Sequence, residues 1–278
     1  SNHNPLSMNP SLSANSGDEG TITLWRLPGP WLQRPYLPHQ LVQWPRQAPF
    51  LRRPLGSPFL PLAIFDLDET LLAGDSDYAW FKFIIEQGLV DADEYDEQNQ
   101  RFYVQYKEGR LDIDAYLELI CTILAQFDED ELYAIRDRFM EKAIAPLWLP
   151  RAVELVNHHQ QLNHQLLVIT STLEFIAAPI VQRLGIPHLI APVPEKIDGH
   201  FTGKILGTAS FQEGKVIRLK EWLKGRKLTL TDSYFYTDSH NDMPLLEVVD
   251  HPVAVNPDPK LKRTAEQRGW KTISLREP

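Results

Sequence analysis

The chain has 278 residues, room for one large domain or two modest ones, and 43% hydrophobic content, enough for a full core. It carries 28 basic against 37 acidic side chains, a net charge of −9, and a single cysteine, which excludes an internal disulfide framework and a thiolate zinc site. The first 60 residues hold five Arg, no Lys and two acids, so the remainder is more acidic still and a poor general nucleic-acid binder.

Residues 1–60 read as a proline-rich, irregular or partly disordered arm. Eleven of the 22 prolines fall in residues 1–61, where they remove backbone donors and forbid long helices. The arm also carries Trp25, Trp31, Trp44, Tyr36 and Phe50, too many aromatics for a fully solvated linker. From residue 61 short apolar runs alternate with helical periods. Residues 61–65, 165–169, 233–236 and 252–255 have the composition of buried parallel strands. Helical patterns cover 174–184, 213–224 and 258–268, so an α/β, Rossmann-like parallel sheet covered on both faces is expected.

Residues 76–145 break that rhythm. Trp80, Phe83, Ile84, Phe102, Tyr106, Tyr116, Ile120, Leu124, Leu132 and Phe139 recur at helical spacing, with Gly88, Gly109 and Asp128 at the breaks. Four helices packed as a small bundle are expected there, with Asp112 and Asp128 as N-caps. The domain plan is therefore a core of 61–75 and 146–278, interrupted by a helical cap at 76–145. No apolar run approaches the ~20 residues that span a bilayer. The reading is a cytoplasmic protein without nucleic-acid or membrane partners, and its oligomeric state is not legible.

The chemistry concentrates in Phe65-Asp66-Leu67-Asp68-Glu69-Thr70-Leu71-Leu72, directly after the first strand. Two carboxylates at i and i+2, at the carboxyl end of a parallel strand, lie where open α/β sheets place ligands. Their repulsion calls for a compensating cation or proton, and a hard, oxygen-seeking ion suits them. Three further pieces follow in order: Thr170 at the end of a strand, Lys215 near the start of a helix, and Asp238 with Asp242 after another strand. Strand, Asp-x-Asp-x-Thr and these three pieces together resemble the haloacid dehalogenase-like superfamily of phosphohydrolases. The large helical insert and the Asp-Ser-x-x-Asp ending resemble its phosphoserine phosphatase-like branch. Gly74–Trp80 looks closer to a bacterial set that includes histidinol-phosphate phosphatases.

The resemblance implies a phosphomonoesterase that hydrolyses a small phosphorylated metabolite through an aspartyl-phosphate. In it Asp66 is the nucleophile, and Asp68 protonates the leaving alkoxide and then activates water. Mg²⁺ is held by Asp66, the Asp68 carbonyl and Asp238, with Asp242 orienting its waters. Thr170, Lys215 and Asn241 contact the phosphoryl group. Asn241 reads equally as a helix N-cap. Thr237, and Ser171-Thr172 after Thr170, depart from the glycines usual in phosphoserine phosphatases and leave strict phosphoserine specificity open. Candidate pocket residues are Asp75, Asp77, Trp80 and Arg101, an acid at 75 or 77 being suited to an amine. Competing readings are a phosphatase or phosphotransferase for a sugar or lipid phosphate, and a non-catalytic phospho-acceptor module. His158, His159 and His164 read as a polar helix face.

Overall fold

The computed structural model of the chain describes residues 60–276. The arm expected over 1–60 lies, apart from Leu60, outside the described residues.

Six strands form one parallel sheet in the order β3-β2-β1-β6-β7-β8: β1 (Leu60–Phe65), β2 (Gln165–Ile169), β3 (His188–Ile190), β6 (Leu228–Thr237), β7 (His251–Val255) and β8 (Lys271–Ile273). The pattern Leu60-Pro-Leu-Ala-Ile-Phe65 makes β1 central because both its faces are apolar. Ala63 and Phe65 pack into one core cluster and Leu62 and Ile64 into the other, all at 0% exposure. The chain leaves β1 toward β2 on one side and returns as β6 on the other. That reversal opens a crevice at the carboxyl ends of β1 and β6. Phe65 pairs with Tyr236, so Asp66 and Asp238 emerge side by side into it.

Between β1 and β2 lie α1 (Ser76–Glu86), α2 (Ala92–Glu108), α3 (Ile113–Leu124), α4 (Glu129–Phe139) and α5 (Pro150–Gln161). Each start has a chemical reason. Asp75, Asp91 and Asp112 accept from the first-turn N–H groups of Tyr78, Asp93 and Ala115. Asp128 occupies the cap position of α4 without a side-chain cap bond. Gly109 ends α2 in the left-handed region at φ 75°. Leu67, Leu71 and Leu72 are fully buried, and Leu72 bridges to Trp148, tying the loop after β1 to the segment leading into α5.

The remaining helices are α6 (Glu174–Arg183), α7 (Glu213–Leu223), α8 (Met243–Leu246) and α9 (Pro259–Arg268). A two-stranded antiparallel sheet, β4 (Val193–Ile197) and β5 (His200–Leu206), stands apart from the main sheet. It reaches the inserted helices: Gly203 faces Thr122 of α3, and Lys196 pairs with Glu129 at the start of α4, 2.5 Å apart. Nothing in the sequence reading anticipated that hairpin. The expected polar setting of His159 is also corrected. It is 1% exposed, with Nε2 2.7 Å from the Tyr236 hydroxyl and its ring against Phe65, because the sheet face behind the crevice needs a flat filler.

Candidate active site

Asp66 follows β1, and its N–H donates to the Tyr236 carbonyl at 2.9 Å, extending the ladder by one residue. The side chain is 4% exposed. Burial pushes its carboxyl up to about 7, while the neighbouring Lys215 ammonium works against the rise. Lys215 Nζ donates to Asp66 Oδ1 at 2.9 Å and lies 2.8 Å from Asp242 Oδ1. Burial opposes the lysine's charge, but Asp242 and Asp66 outweigh it and hold the ammonium above its ordinary range. The lysine reaches inward because Gly214 lets α7 start against the Ala209 carbonyl. A Cβ at position 214 would lie 2.0 Å from that oxygen. Gln212, just ahead, takes φ 49°, a strained value that sharpens the same turn.

Asp238, at the end of β6, shares Thr70 with the nucleophile loop. Thr70 Oγ1 donates to Asp238 Oδ1 at 3.1 Å and accepts from the Asp238 N–H at 3.0 Å. Burial, then the charges of Asp66 and Asp242, push the Asp238 carboxyl well up. Three buried carboxylates thus meet one buried ammonium, an excess of negative charge that a hard cation would offset. Among the described residues no three His, Cys, Asp or Glu side chains are gathered so that they alone could hold a metal ion. A pair, Asp66 and Asp238, completed by a backbone carbonyl and water, matches the way Mg²⁺ is usually bound. Asp242, expected to orient a metal's waters, accepts from Lys215 Nζ at 3.0 Å and from the Thr237 hydroxyl at 2.7 Å.

Asp68 is held apart from this cluster. Ser76 donates to its Oδ1 through both N–H and hydroxyl, and the Thr172 hydroxyl donates to its Oδ2. Burial raises its carboxyl to about 7, with Asp75 adding to the rise and the Ser76 and Thr172 bonds opposing it. A carboxyl poised near neutrality can give and take a proton.

The phosphate-contact residues divide. Lys215 is in the cluster. Thr170 is 1% exposed and accepts from the Thr172 N–H at 3.1 Å, but Ser171 and Thr172, not Thr170, border the open cleft. Asn241 is committed elsewhere. Its Nδ2 donates to the Tyr106 carbonyl of α2 at 3.1 Å, and its Oδ1 accepts from Gln212 at 3.1 Å. The local capping side chain is Ser239, which accepts from the Asn241 N–H. The cleft is bordered by Asp66, Asp68, Asp75, Asp77 and a run of aromatics including Tyr103, Tyr106 and Tyr116. Trp80 and Arg101 do not border it. Trp80 is 1% exposed and packs edge-on against Phe139 and Phe175, because its position on α1 faces α4 and α6. Arg101 lies exposed on α2, its guanidinium over Phe102. Thr70, Ser76, Thr172 and Tyr106 were not among the expected site residues, although Thr70 is the Thr of Asp-x-Asp-x-Thr and Thr172 stands where a glycine is usual.

The family model for haloacid dehalogenase-like hydrolases matches residues 63–247, which holds every residue of this cluster. The chain belongs to that family. A protein of Neisseria meningitidis serogroup C (strain 8013) named histidinol-phosphatase is 45% identical over 219 residues, 77% of this chain and 99% of the relative. A crystal structure of a protein of unknown function from Bordetella pertussis Tohama I shares 42% identity, covers 78% of this chain and 99% of its own, and superposes with a TM-score of 0.74. A substrate-bound phosphoserine phosphatase, at 19% identity, TM-score 0.58 and coverage of 78% and 93%, shares the fold. This member of the family is a phosphatase.

Proposed function

We propose that the chain is a Mg²⁺-dependent phosphomonoesterase that hydrolyses a small, amine-bearing phosphate, phosphoserine- or histidinol-phosphate-like, through an aspartyl-phosphate on Asp66. The observation that carries this reading is the separation of two acids with different settings at one strand end. Asp66 is clamped by Lys215 in the charged cluster, and Asp68 is held apart from it by Ser76 and Thr172, with burial raising its carboxyl against those bonds. The relative named histidinol-phosphatase supports the substrate class.

Lys215 fixes Asp66 Oδ1, and Oδ2, 3.5 Å from the Thr70 hydroxyl, attacks phosphorus. As the new P–O bond forms, the bond to the alcohol breaks, and Asp68 gives its proton to the departing oxygen. Asp68, now a carboxylate, takes a proton from water, whose oxygen attacks the same phosphorus. Inorganic phosphate leaves and the Asp66 carboxylate is restored. The Lys215 ammonium offsets charge on the phosphoryl oxygens throughout. A Mg²⁺ held by Asp66, the Asp68 carbonyl and Asp238 would neutralise the repulsion between nucleophile and phosphate. Residues 76–145 act as a cap that excludes water during transfer. The bond from Asn241 to the end of α2 supports that role. A metabolite substrate agrees with a cytoplasmic setting, and among the described residues no helix is long and apolar enough to cross a membrane.

Phosphate release from a panel of phosphate esters, with and without Mg²⁺, tests the reading. Asp66→Asn is expected to abolish turnover. Turnover that persists in that variant would contradict it.

A further inference from the structure

A phosphoryl group on Asp66 meets few free donors from the core. Lys215 Nζ already donates to Asp66 and Asp242, and the Thr172 hydroxyl donates to Asp68. Thr170 does not border the cleft, and Asn241 is committed to Gln212 and to the Tyr106 carbonyl. Phosphoryl oxygens that gain charge during transfer need donors aimed at them, since unpaired charge away from water is costly. The residue that Asn241 holds supplies one.

Tyr106 stands in the last turn of α2. Its carbonyl accepts from Asn241 Nδ2 at 3.1 Å, and its ring centroid lies 6.3 Å from that of Phe211, in the turn ahead of Lys215. Two core loops thus fix its backbone and its ring. The side chain borders the same cleft as Asp66 and Asp68. Its hydroxyl faces the Ser239 side chain and lies close enough to Asp238, Asp66 and Asp242 for their charges to act on it. Burial, then those three carboxylates, hold the phenol well above its usual range, so it keeps its proton and stays a donor. Other cleft tyrosines are engaged elsewhere: Tyr116 faces Asp77, and Tyr78 accepts from Gln100.

We infer that Tyr106, carried by the inserted helices, is a further catalytic residue whose hydroxyl donates a hydrogen bond to a phosphoryl oxygen while Asp66 attacks. The proton stays on the phenol, and no bond of the tyrosine is made or broken. This rests on the phosphatase reading above, and the two fail separately. The phosphatase reading fails if the wild-type enzyme releases no phosphate from p-nitrophenyl phosphate. The tyrosine is judged against an active wild type. Tyr106→Phe keeps the ring beside Phe211 and the carbonyl that Asn241 holds, and removes only the hydroxyl. It should lower kcat about tenfold or more, by the same factor on p-nitrophenyl phosphate and on an alkyl phosphate, because every ester shares the phosphoryl oxygens. The inhibition constant of orthovanadate, a mimic of phosphorus during transfer, should rise by about the same factor. A kcat within about twofold of wild type, or a lowered kcat with unchanged vanadate inhibition, would overturn the assignment. A tyrosine that acted only by holding Ser239 would cost nothing more once that hydroxyl is gone. Tyr106→Phe should therefore still lower kcat about tenfold in a Ser239→Ala background. No further fall in that background would also overturn the assignment.

Discussion

Asp66 and Asp68 are two residues apart and chemically unlike, and the difference is made by their neighbours. Lys215 sits on one, and the hydroxyls of Ser76 and Thr172 hold the other. If Asp68 protonates the leaving oxygen, its loss should matter most where that oxygen is a poor leaving group. Asp68→Asn should lower kcat on an alkyl phosphate by about 10²–10⁴-fold, and less on p-nitrophenyl phosphate, whose phenolate leaves without help. Equal losses on both, measured side by side, would remove the acid role. Gly214 is the second residue-scale test. A side chain there meets the Ala209 carbonyl, so Gly214→Ala should displace Lys215 and cost more than about tenfold in kcat/KM. The acids and the lysine were legible because their spacing from strand ends follows the sheet. Thr172 and Ser76 were not, since a serine or threonine becomes a partner of Asp68 only once α1 and the β2–α6 turn are folded together.

At the scale of elements, α1–α4 and the strands β1, β2 and β7 were close to readable, because apolar period and acidic caps agree. β6 runs from Leu228, well ahead of the expected 233, through an irregular stretch where Asp232 adopts φ 60°. The β4–β5 hairpin was missed because its sequence is polar, with Pro194 and Gly203 inside, and its support comes from α3 and α4 rather than from its own pattern. The end of α2 is where the inserted helices meet the catalytic loop. Gly109 takes φ 75°, and a Cβ there would approach His240 Nε2 to 2.6 Å. Gly109→Ala should cost about 1–2 kcal/mol of stability through the backbone alone and lower kcat/KM as well. An unchanged melting curve with unchanged activity would show that this contact does not matter. Behind the sheet, burial pushes the His159 imidazole from 6.5 down to about 3. Below pH 6.5 the unfolded chain takes up a proton that the folded one refuses, so stability should fall as pH falls and be complete above that range. Between pH 7.5 and 5, urea unfolding of the wild type should lose roughly 2 kcal/mol relative to His159→Gln. Parallel losses in both proteins would show that this imidazole is not the cause.

For the whole molecule, the strand order and the net charge bear on the same place. The sheet reverses between β1 and β6, and the acidic body gathers Asp66, Asp238 and Asp242 at that reversal, with the Lys215 ammonium in contact with Asp66 and Asp242. The parallel sheet and the four ordered motifs were readable from residues. What lies inside the cleft was not, because Trp80 and Asp77 differ only in which way α1 turns them. A chelator should therefore silence the enzyme and Mg²⁺ restore it, without unfolding the core, since Asp66 remains paired with Lys215. The most direct test of the central claim is to quench the wild type in acid during turnover and map where phosphate is attached. The account predicts phosphate on the peptide containing Asp66, and none in Asp66→Asn. Phosphate on another residue, or rapid turnover with no phosphorylated peptide at any time, would contradict it.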